Sequence, residues 1–392
     1  MTISYCTNVH PAEDLPGILA QLDRFAEPVR RTMQADRLGV GLWLAADVAA
    51  GLAEDASARA KLAAELRARQ LEVHTLNAFP YGGFHQEVVK HAVYRPRWTE
   101  RSRLDYTLDC ATVLADLLPE QADHGSISTL PLGWREPWSV ADEMLAQAAF
   151  EQLTARLREL HHSLGKPIRL AVEPEPGCVL DTVADAVSWL SGRVDPAYIG
   201  LCLDTCHLAV SFADPAETVA SINAAGLEVV KVQASAAVQV DRPQSRSAET
   251  ALAHFDESRY LHQVRELTAD GEVLAADDLP QAATELPGEG PWRVHFHVPL
   301  HAQPAAPLRS TTWVLRDAVT ALRTKQQFRP HIEVETYTWN VLPRAADWQD
   351  ATERAEPTAA TPRSDAELVA GIAAELNWAT HNLMADVEEV RG

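Results

Sequence analysis

Glu173, Asp204, His207 and Glu335 are the residues whose types and setting most readily make chemistry. Each stands at the end of a short apolar run: Ala171-Val172-Glu173, Leu203-Asp204-Thr205-Cys206-His207 and Ile332-Glu333-Val334-Glu335. A strand-end acid is by itself an ordinary helix cap, and Asp204 with His207 one turn on also reads as a cap and a first-turn residue. Convergence changes the reading. If the runs are strands of one sheet, their carboxylates meet at one end, where they repel unless a cation or proton is shared. Carboxylate oxygens with an imidazole nitrogen suit zinc, manganese, cobalt or iron better than calcium. The expected cofactor is one divalent transition-metal ion (Zn, Mn or Co). Glu173 and Glu335 are also the expected proton carriers.

Other polar residues close or flank the remaining runs. The first run ends in Thr7-Asn8-Val9-His10, and the third passes through His74 to Asn77. Lys231 and Gln233 share a face by period two, as do His295 and His297. The histidine pair could chelate one ion, hold a phosphate, or lie on the solvent side of a hairpin. Lys231 could neutralise a substrate anion or form a surface ion pair. The expected substrate contacts are His10, His74, Asn77, Lys231, His295 and His297. Tyr94-Arg95-Pro96-Arg97-Trp98, with Arg101 and Arg103, is a basic-aromatic cluster that could overhang the site or cover a helix surface. His254–Gln263 is polar but holds Phe255, Tyr260 and Leu261, the composition of an ordered lid.

These residues must be positioned by eight β-like runs: Ile3–Asn8, Leu38–Leu44, Leu71–Asn77, Gly125–Leu130, Ile168–Glu173, Ile199–Asp204, Val229–Ala234 and His331–Thr336. Helical stretches lie between most of them, among them Ser57–Arg69, Ser139–Leu164, Thr182–Leu190 and Pro215–Ala225. Eight βα repeats predict an α/β fold, a (β/α)8 TIM barrel, whose chemistry sits at the C-terminal ends of its strands. The alternative is an open doubly wound sheet, but no run leads into a Gly-x-Gly-x-x-Gly turn. The barrel is expected over residues 1–346, with 236–300 a long insertion over the mouth and Trp292–Leu300 part of a small hairpin. Residues 347–392 are expected to be a linker and a helix from about Asp365 to Val387. That helix would pack on the barrel through Leu368, Ile372, Leu376, Trp378 and Leu383.

The 392 residues are 46% hydrophobic and 23% charged, which are globular proportions. Lys plus Arg number 34 against 55 Asp plus Glu, a net charge of −21 spread along the chain. Such a surface repels phosphate backbones, so no nucleic-acid partner is expected. No apolar run approaches the ~20 residues of a bilayer span, and no basic segment precedes an apolar one at Met1. Membrane insertion and a signal peptide are therefore not expected, and the location reads as cytoplasmic. Five scattered cysteines (Cys6, Cys110, Cys178, Cys202 and Cys206) suit reduced thiols and lack structural-zinc spacing.

Through Tyr5–Pro11, Asn77–Gly82, Gly125–Gly133, Glu173–Gly177, Leu203–His207, Val294–Pro299 and Glu333–Trp339 the chain resembles the xylose-isomerase-like TIM-barrel superfamily. That group holds sugar isomerases, epimerases and endonuclease IV-type nucleases. More narrowly, the chain resembles the EboE-type metabolite-traffic proteins. The resemblance implies a metal site of Glu173, Asp204 with His207 as Asp-x-x-His, and Glu335, with Glu333 as second choice. It puts Gln233, a neutral oxygen donor, where the superfamily has a histidine. His295 and His297 match the spacing of the nucleases' later pair. Ser126, Ser128 and Thr129 stand where those enzymes have another histidine, which weighs against a three-metal nuclease site. The leading implication is a metal-dependent isomerase or epimerase acting on a sugar, cyclitol or related small polyol, in a biosynthetic or metabolite-traffic pathway. The alternatives are a non-catalytic metabolite-binding or traffic protein, with pathway proteins as partners, and a metal-dependent phosphoester hydrolase.

Overall fold

The computed structural model describes residues 3–325, 329–343 and 363–384. Eight parallel barrel strands form: β1 (Ile3–Cys6), β2 (Leu38–Trp43), a third in two pieces, β3 (Leu71–Glu72) and β4 (Thr75–Asn77), then β5 (Gly125–Thr129), β6 (Ile168–Val172), β7 (Ile199–Asp204), β8 (Val229–Ala234) and, after five shorter strands, β14 (His331–Val334). β1 pairs with both β2 and β14, so the sheet closes on itself. All eight expected runs take their places. The third is interrupted at Val73-His74, and both pieces pair with β2. These strands are covered on both faces, so they read as near-continuous apolar runs. Helix starts follow local chemistry. Ser139 with Asp142 and Thr182 with Asp185 form capping boxes for the helices Val140–Leu164 and Val183–Leu190. Gly165, at φ +77°, closes the first of these helices in the left-handed conformation.

The barrel interior is filled. Lys231 on β8 meets Glu333 on β14 at 2.6 Å, with both side chains completely buried. Lys231 Nζ also donates to the Leu76 carbonyl (3.2 Å) and lies 3.1 Å from Ser128 Oγ. Burial pushes the ammonium down, but Glu333 more than offsets it, and Lys231 ends above its ordinary value. Gly41 on β2 makes the room, because a Cβ there would lie 1.2 Å from Glu333 Oε1.

The chain between β8 and β14 builds a second, antiparallel sheet: β9 (Val238–Val240), β10 (Val264–Leu267), β11 (Val273–Ala276), β12 (Trp292–Val294) and β13 (Leu308–Ser310), in the order β11-β10-β12-β9-β13. Two features differ from expectation. Trp292–Val294 is the central strand, flanked by β10 and β9, and the hairpin is instead β10–β11. The sheet also continues past residue 300 to Ser310, before the helix Thr312–Lys325 leads back to the barrel. Both partners of β12 come from distant sequence, so local alternation could not reveal its central place.

The helix Asp365–Leu383 packs against β1, β14 and the helix Glu27–Thr32. Leu368, Ile372, Leu376 and Leu383 are buried there and Trp378 is partly buried. Its Glu375 carboxylate accepts from Leu300 N–H (3.0 Å), Thr336 Oγ1 (2.7 Å) and Trp339 Nε1 (2.8 Å). Residues 347–362 of the expected linker and 385–387 of the expected helix lie outside the described residues. Among the described residues no helix is long and apolar enough to cross a membrane.

Candidate metal centre

The site forms where β6, β7 and β14 end. Asp204 ends β7 and caps the short helix Thr205–Val210. Its Oδ1 accepts from the N–H groups of Cys206 (2.7 Å) and His207 (3.0 Å) and from Ser235 Oγ (2.7 Å). The cap and the metal readings of Asp204 are compatible: Oδ1 holds the helix, while Oδ2 is buried without a partner. Glu335 follows β14, and its Oε1 accepts from Asn8 Nδ2 and Asn77 Nδ2, both at 2.8 Å. Glu173 follows β6 and leaves Oε2 buried without a partner. Glu173, Asp204 and Glu335 each offer an oxygen within 4.8 Å of the others. Burial, then Glu335 and Asp204, push the Glu173 carboxyl well above the usual range. Burial, then Asp204 and Glu333, do the same to Glu335. Burial alone would raise Asp204 too, but His207, His297 and the His207 N–H hold it below its ordinary value. The three carboxyls titrate as one unit, and a cation among them would relieve their repulsion.

The histidines carry a sharper signal. His207 Nδ1 donates to the Pro174 carbonyl (2.8 Å), which can only accept. Gln263 Nε2 donates to Tyr94 Oη (3.0 Å) and the Pro176 carbonyl (2.9 Å), which fixes the orientation of its amide. Gln263 Oε1 must therefore accept from His295 Nδ1 (2.6 Å). The two remaining ring nitrogens, His207 Nε2 and His295 Nε2, face each other at 3.1 Å. Two lone pairs so placed repel unless a proton or a metal ion joins them. Burial, then His207 and His297, hold His295 well below its ordinary value, which disfavours a proton carried by His295. His297 Nδ1 donates to the Glu335 carbonyl (2.7 Å), and its Nε2 is buried without a hydrogen bond, 3.8 Å from Asp204 Oδ2. All three rings thus hold one nitrogen in place and offer the other, as metal-ligating histidines do.

Converging ligand atoms come from Asp204, His207 and His297, from Glu173, Asp204 and Glu335, and from Glu175, His207 and His295. This mixed oxygen and nitrogen set fits a transition-metal ion. The mouth above it is a cavity with about 60 Å³ of space open to water-sized molecules. Tyr260 and Leu261, from the expected lid, line it. His262 ties that segment down through the His295 carbonyl (2.9 Å) and Glu257 (2.8 Å).

Of the expected site residues, Glu173, His207, Glu335, Asn77, His295 and His297 line this cavity, and Asp204 lies beside them. Gln233 pairs in register with Asp204 and Glu333, its amide buried with neither atom partnered. Three expected substrate contacts fall elsewhere. His10 follows a turn of 3-10 helix (Thr7–Val9) that carries it behind β1, where it stacks on Phe25. His74 lies near the strand starts, hydrogen-bonded to Glu72 (3.3 Å) and beside His331. Lys231 sits in the barrel interior and is neutralised by Glu333.

The Tyr94–Arg103 cluster divides. Tyr94 reaches the cavity and donates to Glu175 (2.7 Å). Arg103 is buried on the carbonyls of Ala78, Phe79 and Pro96, while Arg101 pairs with Asp105. Glu175, Asn8, Tyr94, Gln263 and Tyr337 join the site without having been chosen from sequence. Tyr94 carries a signal as part of the cluster that could overhang the site, and Glu175 as period-two partner of Glu173. Burial lifts the Glu175 carboxyl to about 7, although His207 and the Tyr94 hydroxyl pull against it.

The profile of the xylose isomerase-like TIM barrel family matches residues 38–272, more than half the chain, so the protein belongs to that family. The match stops short of His295, His297 and Glu335. No curated protein matches the chain. Solved structures of similar fold include a D-allulose 3-epimerase from Methylomonas sp. in complex with D-allulose, at 12% identity and TM-score 0.49, covering 97% of each chain. Another is a xylose isomerase-like TIM barrel protein from Mycobacterium smegmatis in complex with magnesium, at 12% identity and TM-score 0.49, covering 86% of this chain and 90% of that one. A third is the IOLI protein with a bound zinc atom, at 12% identity and TM-score 0.47, covering 97% and 99%.

Proposed function

We propose that this protein is a metal-dependent isomerase or epimerase that moves a proton on carbon in a small ketol of the sugar, cyclitol or related polyol kind. The observation that carries the reading is the meeting of Glu173 and Glu335, both with raised carboxyl pKa values, with Asp204 at the mouth. Zinc, manganese or cobalt suits the donors, and when bound it supplies Lewis acidity towards neighbouring hydroxyl and carbonyl oxygens. Glu173, with no donor on Oε2, takes the proton from the carbon beside the carbonyl. The C–H electron pair moves into an enediolate. Return of the proton to the same carbon inverts it, and return to the neighbouring carbon isomerises the ketol. Asn8 and Asn77 hold Glu335 by one oxygen, which keeps the other for the ion or for the returning proton. The lid residues Tyr260 and Leu261 exclude water.

A second reading has one observation behind it. Gln233, where the family likeness leads one to expect a histidine, is a buried amide with no partner on either atom. That favours a member that binds and hands on a metabolite, the reading to which the narrower likeness to metabolite-traffic proteins also belongs. In that reading pathway proteins are the partners and the setting is cytoplasmic. Phosphoester hydrolysis gains no support at the mouth, because Lys90 pairs with Asp278 and Lys231 with Glu333. The test incubates metal-loaded protein in D₂O with sugars, cyclitols and their phosphates. Deuterium should enter one carbon of the cognate compound, and Glu173→Gln should abolish this. Saturable binding with no exchange under Mn²⁺, Co²⁺ and Zn²⁺ selects the binder.

A further inference from the structure

Apart from the metal-ligand candidates, the cavity wall is mainly apolar: Phe79, Phe84, Tyr94, Tyr260, Leu261 and Tyr337. Three of these rings contact one another. Phe84 lies 5.2 Å from Tyr260 and 5.4 Å from Tyr337, and Tyr260 lies 4.9 Å from Tyr337, centroid to centroid. The polar atoms of this wall are already engaged. Tyr94 Oη donates to Glu175 and accepts from Gln263. Tyr260 Oη donates to the Phe84 carbonyl (3.2 Å). Asn77 gives Nδ2 to Glu335 and takes the Phe79 N–H (3.0 Å) on Oδ1. Lys90 Nζ holds Asp278 at 2.5 Å. Among the described residues, what the wall keeps for a substrate is Asn8 Oδ1, which is buried and unpartnered, the Tyr337 hydroxyl, the acceptor side of the Tyr260 hydroxyl and the remaining N–H groups of Lys90.

A fully hydroxylated sugar would bury more hydroxyls than this wall can pair. Each one left without a partner weakens binding by on the order of tenfold or more. The three-ring surface offers the reverse gain, since buried methylenes are favoured there.

We infer that the substrate is sparsely hydroxylated: two adjacent oxygens at one end and an apolar body, alkyl chain or flat ring, lying on Phe84, Tyr260 and Tyr337. The oxygen end rests on the isomerase reading above, whereas the apolar body rests on the wall alone.

The experiment uses metal-loaded, full-length protein and two series of probes. One is R–CO–CH₂OH with R lengthening from methyl to butyl. The other is dihydroxyacetone, erythrulose, a ketopentose and a ketohexose. Affinity is measured by titration, and wash-in of solvent deuterium as kcat/KM. In the first series affinity, and kcat/KM with it, should rise about fourfold per methylene. In the second it should stay flat or fall. Phe84→Leu and Tyr260→Ala should flatten the first slope while bound metal stays constant, and the wild-type slope serves as a test even where a variant fails to fold. Ketoses that gain as much per carbon as the alkyl ketols would overturn the inference, as would a slope unchanged in both folded variants. Exchange in the ketoses but not the alkyl ketols leaves the isomerase reading standing and removes this one. A clean alkyl slope in binding, with no exchange anywhere, does the opposite. No binding and no exchange in either series removes both.

Discussion

Glu333 and Glu335 stand two positions apart on one stretch of chain, face the same way and are both buried, yet their settings are opposite. Glu333 has the Lys231 ammonium at 2.6 Å, fully enclosed. Glu335 has two asparagine amides on one oxygen and the carboxyls of Glu173 and Asp204 for neighbours. An acid that serves the fold carries its counterion within the fold. The acids of the mouth have like charges around them and no cation beside them among the described residues. The largest expected effect breaks the first half of the comparison. Lys231→Met leaves Glu333 as an uncompensated buried charge and should cost about 3–5 kcal/mol in denaturant unfolding. Adding Glu333→Gln should restore most of that. A near-neutral single variant would mean that Glu333 is not held as an anion, and the contrast with Glu335 would disappear.

Glu375 is the intermediate case, with three donors in place of a cation. Burial lifts its carboxyl from 4.5 to about 7 despite those donors. A carboxyl raised in the folded state leaves that state with more bound protons than the unfolded chain between these values. Its contribution is therefore fully present below pH 4.5 and is lost as pH rises through 7. Relative to Glu375→Gln, the wild type should lose about 3 kcal/mol over this window, read from unfolding curves at several pH values. A difference that stays flat with pH would show that Leu300, Thr336 and Trp339 keep Glu375 ionised throughout. It would then be a satisfied acid, like Glu333.

The second half of the comparison is tested by supplying the cation. Mn²⁺, Co²⁺ or Zn²⁺ at a hundredfold excess over its dissociation constant should raise stability by about 2.7 kcal/mol, and a chelator should reverse this. Glu173→Gln should lose most of the gain and yet be no less stable than the wild type without metal, because it removes one of the crowded carboxyls. An undiminished gain in that variant would place the ion away from the triad.

How much of this was legible in the sequence follows from the range of the forces involved. Strand and helix positions are set by local patterns, so the eight runs and the capping residues Ser139 and Thr182 could be read directly. Glu173, Asp204, His207 and Glu335 were legible because a barrel fixes which end of a strand faces the mouth. His74 was misjudged because it lies before Thr75 at the start of β4, and the interruption in that strand is invisible in an apolar pattern. His10 was misjudged because one turn of 3-10 helix redirects the chain. Lys231 could not be told from a substrate-facing lysine without knowing that Gly41, nearly two hundred positions away, opens the space in which Glu333 meets it. Gln263 and Tyr94 could be read only as parts of a lid and of an overhanging cluster, for the same reason. Their role lies in hydrogen bonds to each other and to His295 and Glu175, made only once the second sheet is folded.

The smallest expected effect asks whether the two regions are independent. Ser128 Oγ lies 3.1 Å from Lys231 Nζ, on β5 below the mouth. Hydrogen bonds to charged groups contribute about 1.5–3 kcal/mol, and here the ammonium keeps Glu333 and the Leu76 carbonyl, so Ser128→Ala should fall at the low end, about 1–2 kcal/mol. If the interior pair serves only the fold, the midpoint of a metal titration should not move, because removing a neutral hydroxyl changes no charge at the triad. Burial and Glu333 both act to raise the Glu335 carboxyl, so a change in how firmly Lys231 holds Glu333 would be felt at the mouth. A tenfold shift in metal affinity in Ser128→Ala would therefore show that the paired acid tunes the unpaired ones. The two carboxylates would then be one electrostatic unit with the lysine at its base.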